Sequence, residues 1–337
     1  MEEKIKIHLT KDVYDILIKD CEAFEFYKTN GELNKNAFLS KLILNYYLTF
    51  QEKENLLISL IEKELKDEVK DYKIITQNLV SKLNKLSFSP NKEKYSSLIS
   101  YKPTKETQMA LSYIEKYLLN GTGLSEFFRN LFSSYTSLPQ DQREKIIFKT
   151  QYETILKAIK ENKKIFFTTK LGRGSNHESS PFSINTSKEE LHCYLLTKYN
   201  NSCKTYRLNR IEEVTIINEE RDLTEEDISN FNRIIQHGPQ FIYEENETTI
   251  IVKLTEKGKS LFKSHYIHRP IVDFIEGDYY YFTCAYSHIK TYFRRFGKEA
   301  YLVSPQILQK DFIKFYKKAY DSYIENGRQK KGEKKLC

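Results

Sequence analysis

Residues 4–9, with the sequence KIKIHL, alternate strictly between polar and apolar side chains. The apolar positions are Ile5, Ile7 and Leu9, and the polar positions are Lys4, Lys6 and His8. A strand places successive side chains on opposite faces. The pattern therefore predicts a half-buried strand whose outer face carries two lysines and a histidine.

Two amphipathic helices are predicted after this strand. Thr10 is a residue type that caps helices, and apolar residues at helical spacing follow it until Asn30-Gly31 interrupts the pattern. The second helix, NAFLSKLILNYYLTF, has Asn36 as its predicted cap and ends at residue 50. The chain therefore begins with the order strand, helix, helix.

The same order recurs in residues 97–135, with caps predicted at Thr104 and Ser125 and a break at Gly121 and Gly123. The second helices of the two copies align as Phe38 with Phe127, Leu39 with Phe128, Leu42 with Leu131, Ile43 with Phe132 and Tyr46 with Tyr135. Between the copies, apolar residues at helical spacing predict one long or broken helix that ends before Pro90.

A strand with outward cations followed by two helices resembles a ribbon-helix-helix module, over about residues 4–50. In that family two strands pair antiparallel and enter the DNA major groove, where outward side chains read base edges. The resemblance implies that Lys4, Lys6 and His8 face nucleic acid.

A lone strand of this kind leaves its backbone groups unpaired, so we predict that the two copies pair within one chain. The inward positions of the second strand are then Ile99, Tyr101 and Pro103, and the outward positions are Leu98, Ser100 and Lys102. The outward face is lopsided, which disfavours a palindromic DNA site. A ribbon formed by residues 4–9 of two chains is the competing arrangement.

From residue 164 the pattern changes to short strands and turns. Pro181, the tripeptide CYL at 193–195 and the run TYRLNRI at 205–211 occur in the order found in WYL domains. Residues 149–235 resemble that family, which implies a small Sm-like or SH3-like β-barrel that senses a ligand, with nucleic acid as the ligand implied first. Cys193 stands where the family has its name-giving Trp, and Asn209 stands where Asp is usual.

Four candidate ligand-binding residues lie close together on one strand predicted over residues 203–217, namely Lys204, Tyr206, Arg207 and Arg210. Guanidinium groups can pair bidentately with phosphate, and a tyrosine ring can stack on an unpaired base. Alternation places Arg207 opposite Tyr206 and Arg210, so one strand cannot deliver all four to one ligand. The alternative is an arginine-rich strand held by salt bridges to its own domain.

Residues 236–325 resemble the extension that follows many WYL domains, a small α/β unit with a final helix at 306–323. The predicted fold class is thus α+β, with a helical, tandem ribbon-helix-helix-like region, a central barrel and an α/β extension that could mediate dimerisation. The predicted domains are 1–50 (first ribbon-helix-helix-like copy), 51–90 (helical linker), 91–148 (second copy), 149–235 (WYL), 236–325 (extension) and 326–337 (disordered basic tail).

The composition, with 39% hydrophobic and 30% charged residues and a net charge of +8, is that of a globular protein with a modest preference for polyanions. No apolar run is long enough to cross a bilayer, and the N-terminus lacks the apolar block of a secretory signal. We therefore expect a cytoplasmic protein without membrane contact. Its five cysteines form no C-x-x-C pair, which predicts free thiols. The basic tail is either a phosphate-seeking arm or an inert solvated end.

No phosphate-binding loop, zinc-hydrolase helix or nucleophile elbow occurs in the sequence, so we predict that the protein is not an enzyme and uses no cofactor. His265, His268, Cys284 and His288 have ligand-like spacing. Sparse histidines on polar strands usually bind nothing, and we predict no metal site.

These patterns predict a nucleic-acid-binding regulatory protein, and three interpretations stay open. The first is a WYL-type transcriptional regulator that senses a nucleic-acid ligand and binds duplex operator DNA. The second is a protein that binds single-stranded RNA or DNA, because the layout resembles the WYL accessory proteins that stimulate the RNA-guided nuclease of type VI-D CRISPR systems. The third is a regulator that senses a small anionic molecule. A homodimer is expected, and in the second interpretation the partner is the nuclease.

Overall fold

The computed structural model describes residues 4–85, 96–119, 121–170, 176–241 and 249–333, and for residues 81, 84, 85 and 326–333 it describes the backbone alone. The described chain is α+β, with helices and sheets of two, four and five strands. It divides into two compact units. Unit 1 holds the described residues of Met1–Thr154, Thr169–Leu171 and Leu208–Glu213, and unit 2 holds those of Ile155–Thr168, Gly172–Arg207 and Val214–Cys337.

Unit 1 consists mainly of the two predicted strand–helix–helix copies. Its elements are β1 (Ile5–Leu9), α1 (Lys11–Ala23), α2 (Lys35–Leu65), α3 (Tyr72–Lys85), β2 (Ser97–Tyr101), α4 (Lys105–Tyr117), α5 (Leu124–Thr136) and α6 (Gln140–Ile147). The pattern between the copies, predicted as one long or broken helix, is broken. α2 continues past its predicted end at residue 50 to Leu65, and α3 begins at Tyr72. Its predicted end before Pro90 lies outside the described residues.

The aligned apolar positions of the two copies form one core. All ten residues paired in the sequence alignment are at most 4% exposed. The rings of the equivalent residues Tyr46 and Tyr135 pack edge to face with centroids 6.2 Å apart. Since each copy supplies half of this core, neither copy could bury its apolar face alone.

β1 and β2 pair antiparallel within one chain, with Ile5 opposite Tyr101 and Ile7 opposite Ile99. This confirms the prediction of intrachain pairing, and we call the pair the ribbon. Of the six side chains predicted to face inward, Ile7, Leu9, Ile99 and Tyr101 are buried, and Ile5 and Pro103 are half-buried.

One ion pair is buried beside this core. Asp20, which is fully buried, accepts hydrogen bonds from Arg143 Nε at 2.6 Å and Nη2 at 2.9 Å and from the Tyr135 hydroxyl at 2.9 Å. Burial raises the pKa of Tyr135 well above its usual value, and the Asp20 carboxylate adds to the shift. The tyrosine therefore stays a hydrogen-bond donor at any physiological pH.

The helix α7 (Lys149–Lys160) leads into a five-stranded sheet. Its strands are β3 (Lys163–Thr169), β4 (Asn176–Thr186), β5 (Cys193–Tyr199), β6 (Ser202–Arg207) and β7 (Ile211–Glu220), in the order β6-β5-β4-β3-β7. Asn200 and Asn201 both have positive φ and connect β5 to β6 in a two-residue hairpin. The helix α8 (Glu225–His237) follows β7.

Two expectations about this sheet are corrected. A closed barrel is not seen among the described residues, since β6 and β7 are the two edges of the sheet. The predicted strand over 203–217 is split by a 3-10 turn at Leu208–Arg210. Leu208 and Asn209 are consecutive and both fully buried, which a strand cannot achieve with one face toward solvent.

The remainder of unit 2 is a second α/β lobe. Its elements are β8 (Ile250–Leu254), α9 (Glu256–Ser264), β9 (Phe274–Glu276), β10 (Tyr279–Phe282), α10 (Tyr286–Phe293), a 3-10 turn (Arg294–Glu299), β11 (Ala300–Ser304) and α11 (Gln306–Glu333). The strands form an antiparallel sheet in the order β11-β8-β10-β9, and its inner face packs on the helices around Phe262, Phe282 and Phe293.

α11 continues to Glu333, beyond the predicted end at residue 323. Residues 326–333 are therefore helical rather than disordered, and the rest of the predicted tail lies outside the described residues. Cys21, Cys193, Cys203 and Cys284 form no disulfide, in agreement with the prediction of thiols, and Cys337 lies outside the described residues. Within the described part of the chain, no helix combines the length and apolarity required to cross a membrane.

Candidate nucleic-acid interface

The outward face of the ribbon presents the side chains that the sequence singled out. Lys4, Lys6, His8 and Lys102 are all exposed. The register places Lys6 opposite Ser100 and His8 opposite Leu98, which is 47% exposed. The face therefore has cations at one end of each strand and an imidazole beside an aliphatic side chain at the other.

Side chains of α2 and α5 make hydrogen bonds to the backbone of the ribbon. Asn36, at the start of α2, accepts a hydrogen bond from the Lys102 amide at 2.8 Å and donates one to the Lys102 carbonyl at 3.0 Å. At the aligned position of the second copy, Ser125 Oγ donates to the Lys6 carbonyl at 2.9 Å. Arg129 Nε donates to the His8 carbonyl at 2.9 Å. Each copy thus fixes the strand of the other copy and sets the direction of its outward side chains.

These contacts correct two predicted helix caps. The N-cap of α2 is Asn34, whose side chain accepts from the Ala37 amide at 3.2 Å, and the N-cap of α5 is Gly123. Asn36 and Ser125 lie inside the first turn and bind the ribbon instead. Sequence reasoning missed this role, although the alignment of Asn36 with Ser125 was a usable signal.

The cluster predicted at 204–210 is not assembled on one strand. Lys204, Tyr206 and Arg207 lie on β6 in unit 2, whereas Arg210 lies in the 3-10 turn and belongs to unit 1. Arg210 donates from Nε at 3.1 Å and from Nη2 at 2.8 Å to Glu25 Oε1. Nothing in the sequence indicated a partner so distant in the chain.

Arg207 has a similar arrangement. Its Nε donates to the Tyr194 hydroxyl at 3.0 Å and its Nη2 to Glu190 Oε2 at 2.7 Å. Burial alone would raise the pKa of the Glu190 carboxyl, but the hydrogen bonds from Tyr194 and Arg207 outweigh it and hold that pKa below its usual value. Among the described residues, Nη1 of Arg207 has no hydrogen-bond partner. The two anchored nitrogens fix the position of this guanidinium beside Tyr194 and Glu190.

Tyr206 packs inside the sheet more than the sequence suggested. Its ring meets Phe167 edge to face at 5.0 Å and lies 5.1 Å from the His177 ring. Burial raises the pKa of its phenol to about 12. Stacking on a base would use only the exposed part of this ring. Lys204, on the same strand, is partly exposed.

The four residues with metal-like spacing do not converge. In the described part of the chain, no three His, Cys, Asp or Glu side chains are placed to share a metal ion. His288 lies with its Nε2 at 2.9 Å from the His268 carbonyl oxygen and stacks on Phe241 with centroids 3.8 Å apart.

Neither a protein-family model nor a curated protein matches the sequence. A solved structure described as "Crystal structure of a CRISPR Cas-related protein" aligns with 97% of this chain and 95% of its own, at 21% identity and a TM-score of 0.73. The chain shares the fold of this CRISPR Cas-related protein. Proteasome accessory factor B/C of Arthrobacter aurescens aligns with 91% of this chain and 48% of its own, but at 11% identity and a TM-score of 0.26. That TM-score is too low for a common fold.

Proposed function

We propose that the protein is a nucleic-acid-binding accessory protein of a CRISPR system and that its ligand is single-stranded RNA. The observation that carries the proposal is the ribbon formed within one chain, with unlike residues facing each other across it. A reader of palindromic DNA needs two equivalent strands. Here Lys6 faces Ser100 and His8 faces Leu98, which suits a ligand without two-fold symmetry.

The chemistry of the face supports a single strand. The ammonium groups of Lys4, Lys6 and Lys102 can contact phosphates, and the His8 ring and Leu98 can lie against unpaired bases. Arg207 and Lys204 in unit 2 would add phosphate contacts, and Tyr206 a partial stacking surface. In this proposal the ribbon is of the ribbon-helix-helix type and the five-stranded sheet of the WYL type.

The similarity of the whole chain to a CRISPR Cas-related protein supports the part of the proposal that places the protein in a CRISPR system. An RNA-guided nuclease is then the proposed partner. A homodimer is also proposed, but not one in which residues 4–9 of two chains pair in place of β2, because β1 pairs with β2 of its own chain.

The second candidate function is regulation through duplex DNA. A two-stranded antiparallel ribbon has the width that the major groove admits, and this one has an exposed cationic face. Such a reader would have to recognise an asymmetric site.

Titration of the full chain with the same sequence as single-stranded RNA, single-stranded DNA and duplex DNA, at one fixed salt concentration, separates the candidates. We expect the tightest binding to single-stranded RNA. Preference for the duplex by tenfold or more would favour the regulator, and absence of binding to all three would refute both.

A further inference from the structure

The C-terminal lobe has the chain order of the ferredoxin-like split βαβ motif, a topology that RNA-binding domains share with domains of many other functions. Its elements β8, α9, β9, β10, α10 and β11 follow the order β-α-β-β-α-β. Counted within the lobe, the strands lie in the order 4-1-3-2, and each neighbouring pair is antiparallel. One face packs on helices, and the other face lacks a helical layer among the described residues.

That outer face carries aromatic rings. The register places Tyr301, Lys253 and Tyr279 side by side on three adjacent strands. Tyr301 is 62% exposed and Tyr279 is 37% exposed. The alternate residues Tyr280 and Phe282 are buried, so β10 has one face in the core and one face toward solvent, and the exposed tyrosines lie on the solvent face.

A second row lies beside the first. Tyr281 is opposite both Ile251 and Phe274, and the Phe274 and Tyr281 rings stack with centroids 3.9 Å apart. Phe274 is 55% exposed on the edge strand β9. The two rows give an exposed surface of aromatic rings across the sheet, which we call the aromatic face.

The aromatic face carries a lysine that could contact a phosphate next to bases stacked on the rings. Lys253 Nζ lies 5.4 Å from the centroid of the Tyr279 ring, in the middle of the first row. The nearby acids are engaged: Glu276 accepts from the Tyr281 hydroxyl at 3.1 Å, and Asp278 pairs with Lys259 at 2.7 Å. The centre of the face thus carries a cation, Lys259 offsets the charge of Asp278, and Glu276 is an acid on the edge strand opposite Tyr279.

We propose that the aromatic face is a second binding surface for single-stranded RNA, on which Tyr279, Tyr301 and the Phe274–Tyr281 pair stack unpaired bases and Lys253 contacts a phosphate. One class of RNA-binding domain is a four-stranded sheet that stacks two or three bases on its aromatic side chains, and the aromatic face offers the same chemistry. A lysine at the centre argues against a protein partner, because lysine is depleted in the cores of protein interfaces. The site belongs to unit 2 and stands whether or not the ribbon binds RNA.

The test uses the full chain and a labelled oligouridine of roughly 15 nucleotides, the length a stacking groove can hold. Tyr279→Ala and Tyr301→Ala should each weaken binding by about 5- to 100-fold, because base stacking on an aromatic ring has that effect. Tyr279→Phe keeps the ring and should stay within about twofold of wild type. The matched control is Tyr320→Ala, which removes an exposed tyrosine from α11 in the same lobe.

Photocrosslinking of the wild-type chain to RNA that contains 4-thiouridine gives a readout that needs no substitution. We expect crosslinked peptides from residues 274–282 and 300–304. These crosslinks should persist in a Lys6→Ala/Lys102→Ala variant, which removes two of the proposed phosphate contacts of the ribbon. Unchanged affinity in both tyrosine variants, or no crosslinks to these peptides, would overturn the proposal. A third outcome would also overturn it. If the wild-type chain is a dimer and Tyr279→Ala converts it to a monomer without changing the RNA affinity, the aromatic face is a contact between two copies.

Discussion

At the residue scale, variants of Arg207 and Glu190 distinguish a role of Arg207 in RNA binding from a role in stability. Arg207 is anchored by Tyr194 and Glu190 and has an open nitrogen. Arg207→Ala should lower the free energy of unfolding by about 1 to 3 kcal/mol, because it removes two charge-assisted hydrogen bonds, and should also weaken RNA binding by a similar free energy. Glu190→Gln removes the ion pair but keeps the arginine. It should lower stability with little loss of affinity.

Urea unfolding and RNA titration of both variants check this prediction. If Arg207→Ala lost stability and kept the wild-type affinity, Arg207 would be a structural residue alone.

His288 makes stability depend on pH. Burial lowers its pKa from 6.5 to about 4. Between these values the unfolded chain binds more protons than the folded chain, so this contribution is complete above pH 6.5 and is lost as the pH falls toward 4. The loss from His288 between pH 7 and pH 5 should be roughly 2 kcal/mol. The pKa of His237 is also lowered by burial and acts in the same direction.

The measurement is urea unfolding at pH 7 and at pH 5 for wild type, His288→Gln and the control His8→Gln, which alters an exposed ring of the ribbon. We expect His288→Gln to reduce the difference between the two pH values by roughly 2 kcal/mol and His8→Gln to preserve it. An equal pH dependence in all three proteins would contradict the assignment.

At the element scale, two asparagines at the start of α2 make different hydrogen bonds. Asn36 accepts from the Lys102 amide, and Asn34 caps the helix through the Ala37 amide. Asn36→Ala should increase hydrogen exchange at the Lys102 amide and destabilise the ribbon by about 1 kcal/mol. Asn34→Ala is the matched control and should increase exchange at Ala37 while Lys102 stays protected. Equal protection of Lys102 in both variants would show that Asn36 does not hold the ribbon.

Local patterns predicted the elements of unit 1 well. The alternation of Ile5, Ile7 and Leu9 and the alignment of Phe38 with Phe127 depend on neighbours in sequence, and both gave the correct buried face. The strand predicted over 203–217 was wrong, because the two consecutive buried residues Leu208 and Asn209 are recognisable only after folding.

The candidate site was predictable where side chains point to solvent and not where they meet partners. Lys6 and Lys102 follow from alternation alone. The carboxylates of Glu25 and Glu190 that engage Arg210 and Arg207 are set by tertiary structure. The aromatic face was missed because the run DYYYF contains tyrosines on both faces of β10, and only the sheet order shows which are exposed.

At the scale of the whole molecule, we propose that the described chain contacts nucleic acid in three places, namely the ribbon, β6 and the aromatic face. They differ in physical character. The ribbon depends on lysines and should bind in a salt-sensitive way, whereas the aromatic face depends on stacking and should be less sensitive. Variants of the ribbon and of the aromatic face should therefore change the affinity and its salt dependence separately.

The most direct test of RNA binding by the ribbon is the salt dependence of the affinity for single-stranded RNA. We compare wild type, Lys6→Ala/Lys102→Ala and the control Lys63→Ala, whose exposed lysine lies near the end of α2, about 40 Å along the helix from Asn36. Each lysine–phosphate contact contributes about 0.7 to the slope of log affinity against log salt. The double variant should bind more weakly with a slope shallower by about 1.4, and Lys63→Ala should match wild type. The same slope and affinity in all three proteins would contradict binding at the ribbon.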